Sequence, residues 1–239
     1  MSLKDKVAIV SGATGALGRV VAKSLLENGA RVVSPYRTRE RQDELVEFVD
    51  PLRSGLTGVK ADVTNEESVR SLVDQTLQIH GRVDILLNIT GAYLGDKTVT
   101  QTDERDWDFM LSTNLKSVFL CSKTVLPHMI AQNYGKIVNV AARPAVEKRL
   151  RVGASAYTVS KAGVVILTET MAEEVKKYNI NINCIVPSTI DTPNNRTNMP
   201  KVDSSNWVNP EDISRVILYL ASDESRVING AAVLVYGKA

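Results

Sequence analysis

Cysteine is scarce in this 239-residue chain, which has only Cys121 and Cys184. The two cysteines lie far apart and form no motif with metal-ligand spacing, so the sequence predicts neither a disulfide framework nor a zinc site. We expect both thiols to lie in a hydrophobic core, and we predict no metal in the functional site.

An excess of charge of one sign is also missing. Lysine and arginine number 29 and aspartate and glutamate number 27, which leaves a formal net charge of +2. Because the chain has no basic patch and no block of like charges, the sequence does not indicate nucleic-acid binding. A small molecule is therefore the expected partner.

Long hydrophobic runs are absent as well. The first residues, "MSLKDK", lead directly into a short apolar stretch, without the long apolar region of a signal peptide. No later stretch is long enough to span a membrane as a helix. We therefore expect no membrane association and a cytoplasmic location.

The chain does contain a regular alternation of short apolar runs with longer amphipathic segments. This order is typical of βαβ units, in which parallel strands are buried on both faces. No repeat or linker divides the chain, so residues 1–239 are predicted to form one α/β domain with a Rossmann-type, doubly wound sheet of about seven parallel strands. The strands are predicted at Lys6–Gly12, Arg31–Ser34, Gly58–Val63, Val83–Asn88, Lys136–Ala141, Asn181–Val186 and the terminal "AAVLVYG".

Helices are predicted between these strands. The amphipathic segments end at about Asn28, begin at about Glu40, and then cover Glu66–His80, Asp106–Gln132, Ser155–Lys177 and Pro210–Ser222. The stretch 187–207 is rich in Pro, Asn, Ser and Thr, and irregular loops of that length in a compact domain usually serve function. We predict that it forms a flexible loop on the substrate side.

A glycine-rich segment follows the first predicted strand. "SGATGALG", Ser11–Gly18, leads into a helix and places glycines where the backbone can approach a phosphate, which the helix N-terminus attracts. We assign Gly12, Thr14, Gly15, Leu17 and Gly18 to cofactor binding. The alternative is a purely structural turn, since a tight strand-to-helix connection also requires glycine.

The end of the second strand lacks the carboxylate that holds the ribose of NAD in many Rossmann domains. The segment "SPYRTRER" has no acidic residue before Glu40, and Arg37 stands where a guanidinium can pair with a 2′-phosphate. NADP(H) is therefore favoured over NAD(H), with Arg39 or Arg41 as helpers. The alternative is the solvated start of a helix.

Tyr157 and Lys161 are four residues apart in "YTVSK", so on a helix they share one face. A phenol with an ordinary pKa of about 10 is a poor acid-base catalyst at neutral pH, whereas a nearby lysine cation stabilises the phenolate. This spacing suits proton transfer. An ordinary amphipathic helix with one tyrosine and one lysine is the alternative.

Taken together, these motifs resemble the short-chain dehydrogenase/reductase family in their order and spacing over essentially the whole chain. The resemblance implies that Tyr157 transfers the proton, that Lys161 also holds the nicotinamide ribose, and that Asn114 supports a proton-relay water. It also implies cofactor contacts, which fall on Asp62 and Val63, on Asn88 and Gly91 in "NITG", and on Pro187, Ile190 and Thr192 in "PSTIDT". Ser188 stands where the family often has glycine.

The chain departs from the family after the fifth strand. In "NVAARPAV", Ala142 takes the place of the serine that normally donates a hydrogen bond to the reacting carbonyl oxygen. Loss of one such donor typically costs roughly 10²–10³ in rate. Ser155 or Arg143 is a candidate replacement.

A second resemblance offers a different explanation for Ala142. The segments "GALG", "GAY" and "IDTPNNRTNMP", followed by "SSNW", are similar to those of the dihydropteridine reductases within this family. An electron-poor quinonoid pterin accepts hydride readily and needs no serine to polarise a ketone. The substrate predicted from the sequence is therefore a small carbonyl compound or a pterin-like ring.

Several side chains are candidate substrate contacts. Tyr93 follows the fourth strand, Arg143 follows Ala142, and Asn195 and Met199 lie in the 187–207 loop near Asn194, Arg196 and Trp207. Each is equally compatible with loop packing. The family commonly assembles through its two long helices, so a homotetramer or homodimer is expected.

Three functional hypotheses remain open. The leading one is an NADP(H)-dependent oxidoreductase in which Tyr157 is the acid-base, Lys161 its electrostatic support and Asn114 the relay. The second is a nucleotide-binding protein with little turnover, because Ala142 replaces the catalytic serine. The third is a Rossmann-fold transferase, which accounts for the glycine turn but not for the tyrosine–lysine pair.

Overall fold

The computed structural model of the protein describes residues 2–238. It shows one sheet of seven parallel strands in the order β3-β2-β1-β4-β5-β6-β7, which confirms the predicted doubly wound fold. The strands are β1 Val7–Ser11, β2 Arg31–Tyr36, β3 Leu56–Lys60, β4 Ile85–Asn88, β5 Gly135–Val140, β6 Ile180–Pro187 and β7 Ala232–Val235. The chain order reverses between β1 and β4, where ligands of such sheets bind.

Helices cover both faces of this sheet. They are α1 Ala16–Glu27, α2 Arg39–Val49, α3 Glu66–His80, α4 Glu104–Leu111, α5 Ser117–Ala131, α6 Ser155–Glu174, α7 Pro193–Asn198 and α8 Pro210–Leu220. Successive strand residues point to opposite faces, so Ala8 and Val10 pack with α1, α2 and α8, whereas Val7 and Ile9 pack with α3, α5 and α6. Both faces of the central strands are therefore core.

Helix and strand ends differ from the sequence-based boundaries at several points. Strand β3 begins two residues earlier and ends at Lys60, because Asp62 turns the chain by accepting hydrogen bonds from the amide and hydroxyl of Thr64. The single long helix predicted at Asp106–Gln132 contains one wide π-helical turn, Ser112–Lys116, between α4 and α5. Helix α6 ends at Glu174 rather than at Lys177.

The prediction of an entirely irregular stretch at 187–207 is wrong. Pro187 is the last residue of β6, and the short helix α7 follows the turn. Thr192 caps α7 by accepting a hydrogen bond from the Asn195 amide at 3.2 Å, and Pro193 occupies the first helical turn, where its fixed φ is favourable. The sequence "TPNN" contains both signals.

The positions of the cysteines and the lengths of the apolar helices bear on two of the expectations from the sequence. Cys121 and Cys184 are both buried and free, and burial raises the pKa of the Cys121 thiol to about 12. Within residues 2–238, no helix combines the length and apolarity needed to cross a membrane.

Candidate active site

The residues assigned from the sequence gather at the carboxyl edge of the sheet. Ser11 at the end of β1 lies beside Asn88 at the end of β4, and Asn88 lies beside Asn139 in β5. The segments that follow these strands therefore meet at one edge. This is the edge at which open parallel sheets bind their ligands.

The glycine turn is built by close backbone packing. Gly12 has a φ of +75°, and a Cβ added there would lie 2.8 Å from the amide nitrogen of Thr90 in the "NITG" segment. A Cβ on Gly18 would lie 1.9 Å from the Gly12 carbonyl oxygen. Both positions therefore require glycine to bring α1 and the β4 segment against the turn.

The N-terminus of α1 is left open to a ligand. Gly15 is its N-cap and supplies no side-chain hydrogen bond, and the first turn holds no acidic residue. The backbone N–H groups and the positive end of the helix dipole therefore remain available to an anion. Thr14 is partly exposed beside them, whereas Leu17 is buried in the core beneath the helix.

The three arginines after β2 differ in their partners. Arg39 pairs with Asp43 at 2.9 Å and Arg41 with Glu44 at 3.1 Å, both within α2. Arg37 is exposed and makes no hydrogen bond or ion pair in the described part of the chain. Of the three guanidinium groups, only that of Arg37 therefore forms no ion pair in the described part of the chain.

Asp62 and Arg37 lie close enough to interact. Burial raises the pKa of the Asp62 carboxyl, but the hydrogen bonds from Thr64 and the charges of Arg37 and Lys116 outweigh it and hold the pKa below its usual value. Val63 is buried behind Asp62. The end of β2 and the end of β3 thus border the same region, as a nucleotide site requires.

The first and last residues of the "NITG" segment, Asn88 and Gly91, lie in different surroundings. Asn88 is buried, and its amide donates to Asn139 Oδ1 at 2.8 Å within the sheet. Gly91 lies beside the catalytic candidates, where an added Cβ would come 3.1 Å from Lys161 Nζ and 3.3 Å from Asn114 Oδ1. The structure therefore places Asn88 in the interior and Gly91 at the site surface.

Tyr157 and Lys161 occupy successive turns near the start of α6. Lys161 is only 4% exposed, its ammonium donates to the Val140 carbonyl oxygen at 2.7 Å, and burial lowers its pKa to about 8. The Tyr93 ring meets the Tyr157 ring edge to face, with 4.9 Å between centroids. Burial, with a smaller contribution from Tyr93, raises the pKa of the Tyr157 phenol. The phenol therefore carries its proton at neutral pH in the protein alone.

Asn114 lies in the π-helical turn, a feature often found at functional sites. Its Oδ1 accepts from the Ala92 amide at 2.8 Å, and its Nδ2 donates to the Ala92 carbonyl at 3.0 Å and to Ser160 Oγ at 3.0 Å. Ser160 in turn donates to the Tyr157 carbonyl at 2.7 Å. Asn114 thus ties the β4 segment to the helical turn that bears Tyr157, through a serine that we did not assign from the sequence.

The two side chains considered as replacements for the missing serine lie in different places. Ser155 faces the segment before α4, with its hydroxyl 3.5 Å from that of Thr102. Arg143 follows Ala142 at the end of β5, and its Nη1 donates to Ser188 Oγ at 3.3 Å at the end of β6. Only Arg143 is therefore tied to the segments that close the carboxyl edge.

The segment after β6 is held by its own hydrogen bonds. Asn195 Nδ2 donates to the Ile190 carbonyl at 2.8 Å, and the Thr192 hydroxyl caps α7. Ser188 does not have a positive φ, so serine fits this position without backbone strain. Met199 is half-buried at the end of α7. Asn195 is thus part of the loop packing in this structure.

Comparison with known proteins gives a consistent result. The family model of short chain dehydrogenases matches residues 6–203. The 3-oxoacyl-[acyl-carrier-protein] reductase FabG of Thermotoga maritima is 31% identical over 245 residues, covering 99% of this chain and 98% of the relative. The 2-dehydro-3-deoxy-D-gluconate 5-dehydrogenase of Escherichia coli is 32% identical over 247 residues, covering 99% and 96%. The solved structure of gox2181 superposes with a TM-score of 0.91 at 28% identity, covering 98% and 95%.

Proposed function

The chain belongs to the short chain dehydrogenase family, an oxidoreductase family that uses nicotinamide cofactors, and on that premise we propose that it is an NADP(H)-dependent oxidoreductase. It transfers hydride between the nicotinamide and a small carbonyl or pterin-like substrate. The observation that carries this proposal is the position of Tyr157 and the buried Lys161 on one helix, beside Gly91 at the carboxyl edge of the sheet.

The residues present fit a nicotinamide dinucleotide. The N-terminus of α1, which no side chain caps, and the glycines of the turn suit the pyrophosphate. A side chain at Gly91 would press on the Lys161 ammonium. Arg37 forms no ion pair within the described residues and suits a 2′-phosphate, which favours NADP(H) over NAD(H). When bound, the cofactor supplies or accepts the hydride.

Tyr157 acts as the acid-base. Its raised pKa keeps the phenol protonated in the protein alone, so it can donate its proton to the substrate oxygen during reduction. In oxidation the phenolate must form instead, and the Lys161 cation one turn away stabilises it. The Val140 carbonyl orients Lys161, and Asn114, through Ser160, holds the helical turn that bears Tyr157. Asn114 is therefore a positioning residue in this mechanism.

The substrate class follows from the relatives and from Ala142. The two relatives described above are named as a reductase of an oxo compound and as a dehydrogenase of a sugar acid, which supports a carbonyl or alcohol substrate. Ala142 removes a hydrogen-bond donor from the place where a simple ketone would need one. This absence favours an activated acceptor, and a quinonoid pterin is the second candidate on that ground.

An apolar surface supports assembly into a homodimer or homotetramer. Phe109 on α4, Phe119 on α5, and Val159 and Ile166 on α6 are all exposed. A face of this kind is typical of protein interfaces. Light scattering of the purified protein measures the subunit number directly. The cytoplasmic location stays a prediction from the sequence.

The proposed activity is tested by initial rates of NADPH and NADH oxidation. The substrates are a panel of ketones and aldehydes together with quinonoid dihydropteridine, and the rate without enzyme is subtracted. We expect turnover with at least one acceptor and a higher kcat/KM with NADPH than with NADH. Tight NADPH binding without turnover of any acceptor would instead favour the nucleotide-binding protein with little catalytic activity.

A further inference from the structure

Four side chains meet beyond the ends of the last three strands of the sheet. Arg143 follows β5, Ser188 follows β6, Tyr236 follows β7, and Glu147 lies one turn after Arg143. The guanidinium lies 4.5 Å from the centre of the Tyr236 ring, its Nε donates to Glu147 Oε1 at 2.8 Å, and its Nη1 donates to Ser188 Oγ at 3.3 Å. We call these residues the Arg143 cluster.

We propose that Arg143 binds a carboxylate of the substrate, so that the substrates are small keto acids and the corresponding hydroxy acids. The inference rests on the proposed hydride transfer at Tyr157 and deepens it by naming the substrate class. It gives a role to the arginine that stands directly after Ala142, where the family's hydrogen-bond donor is missing.

The position of Arg143 places it next to the catalytic residues. The chain reaches Arg143 three residues after Val140, whose carbonyl oxygen holds the Lys161 ammonium at 2.7 Å. Its partner Ser188 is the second residue of the "PSTIDT" segment, directly after β6. Lys161 and Arg143 are therefore both held near the carboxyl end of β5.

The guanidinium is oriented for a planar anion. The Tyr236 ring supports one face and Ser188 fixes one end, while Nη2 makes no hydrogen bond within residues 2–238. Arg143 already binds a carboxylate in this structure, because its Nε donates to Glu147 Oε1. An arginine fork binds carboxylates with two parallel hydrogen bonds, and a lysine cannot reproduce that geometry.

Glu147 is a carboxylate that a substrate can replace. Its other oxygen accepts from Arg149 Nε at 3.2 Å, so it keeps a cationic partner when it leaves Arg143. The Glu147 side chain is 27% exposed and that of Arg143 only 13%, so Glu147 lies on the solvent side of the pair. Burial, together with the Glu147 charge, also raises the pKa of the Tyr236 hydroxyl.

The backbone around Arg143 is braced independently of Glu147. Arg151 donates to the Pro144 carbonyl at 3.0 Å and to the Ala145 carbonyl at 2.9 Å. The turn that carries Arg143 therefore keeps its shape when the Arg143–Glu147 pair opens. This brace makes substitution of Glu147 a test of binding rather than of folding.

The test compares acids with their methyl esters. Isothermal titration calorimetry measures the binding of 2-oxobutanoate, 4-oxopentanoate and benzoylformate, and of each methyl ester, at saturating NADP⁺ and in its absence. We expect the wild type to bind at least one keto acid at least about tenfold more tightly than its ester, as expected for a charge-assisted hydrogen bond.

Four variants test whether that preference comes from Arg143. Arg143→Gln should bind acid and ester within about twofold of each other, and Arg143→Lys should give an intermediate preference. Lys148→Gln, a control that removes one exposed positive charge from the next turn, should keep the preference. Glu147→Gln should bind the keto acid more tightly than the wild type because it removes the internal competitor. Thermal unfolding and the Kd for NADPH verify that each variant is folded.

The outcomes separate this inference from the proposed function. A wild type that binds no keto acid more tightly than its ester, or a preference that survives in both Arg143 variants, overturns the assignment of Arg143. Initial rates with NADPH are measured on the same samples. If the acids bind selectively but neither acids nor esters are reduced, the carboxylate site stands and the proposed hydride transfer fails.

Discussion

The cofactor half and the substrate half of the active-site edge differ in how their polar groups are engaged. In the cofactor half, no side chain caps the N-terminus of α1 and Arg37 forms no ion pair in the described part of the chain. In the substrate half, Arg143 bonds to Glu147 and Asn195 bonds to the Ile190 carbonyl. The cofactor half is therefore prepared for an anion, whereas binding in the substrate half requires an exchange of partners.

The two halves should therefore bind their ligands differently. A ligand that meets donors without a protein partner displaces only water, whereas a ligand that displaces an internal partner must also break a bond within the protein. We therefore expect substitutions in the cofactor half to change cofactor affinity directly. Substitutions in the substrate half should change selectivity between substrates more than overall affinity.

The largest effect is expected at the packing of the glycine turn. In Gly18→Ala the new Cβ would lie 1.9 Å from the Gly12 carbonyl oxygen, so the turn must move. We predict a loss of about 3 kcal/mol in the free energy of unfolding, together with loss of NADPH binding. Gly163→Ala is the control, since its Cβ meets only the flexible Leu115 side chain. Urea unfolding measures the free energy of unfolding of both variants. Equal values would show that the close packing at Gly18 does not require glycine.

A stabilising substitution is expected at Lys161. Lowering its pKa from 10.5 to about 8 corresponds to about 3 kcal/mol, and loss of the bond to Val140 offsets about 1 kcal/mol. Lys161→Met should therefore raise the free energy of unfolding by about 2 kcal/mol at pH 7 while turnover is lost.

The stability that Lys161→Met gains over the wild type should decrease as the pH rises. Below pH 8, Lys161 is charged in both the folded and the unfolded wild type, so the cost of burying the charge is fully present. Between pH 8 and about pH 10.5 the folded protein releases the proton first, wild-type stability rises relative to the variant, and the gain shrinks. Lys136→Met, at another buried lysine at the amino end of β5, should leave turnover unchanged. A gain at Lys161 that is independent of pH would contradict the account.

A smaller effect is expected at Arg37. Arg37→Gln should weaken NADPH binding about tenfold through loss of the pair with the 2′-phosphate, while NADH binding stays the same. Arg39→Gln is the matched control, because Arg39 already pairs with Asp43. Fluorescence titration of both cofactors measures the ratio. Equal losses for NADPH and NADH would show that Arg37 does not read the 2′-phosphate.

The smallest effect is expected at Tyr93, whose side chain is 60% exposed. Tyr93→Ala removes the edge-to-face contact with Tyr157, a contact worth about 1 kcal/mol. We predict a fall of about fivefold in kcat/KM and no change in the Kd for NADPH. A loss of several hundredfold would instead assign Tyr93 a direct part in the chemistry.

The parts of the fold that follow from local pattern could be predicted from the sequence. Helix α3 spans the predicted residues, because asparagine and glycine are residue types that favour the two ends of a helix. Asn65 caps its N-terminus, and Gly81 ends it with a φ of +75°. The Tyr157–Lys161 spacing likewise required only helical periodicity. The end of β3 was misplaced because the turn at Asp62 depends on side-chain hydrogen bonds to Thr64.

The contacts that the sequence did not reveal join residues that are far apart in the chain. Ser160 reaches Asn114 from a helix 46 residues later in the chain, and Tyr236, against which the Arg143 guanidinium lies, is 93 residues after it. No local motif contains such pairs. The π-helical turn around Asn114 is also invisible to periodicity, since it adds one residue within an otherwise regular helix.

The central claim is that Tyr157 transfers the proton, and the most direct measurement compares kcat and cofactor affinity of Tyr157→Phe with the wild type. We predict a fall in kcat of about 10³, within the range for loss of a general acid, with an unchanged Kd for NADPH and an unchanged unfolding transition. A variant that retains most of the wild-type kcat would contradict the account, because the hydride transfer would then proceed without the phenol.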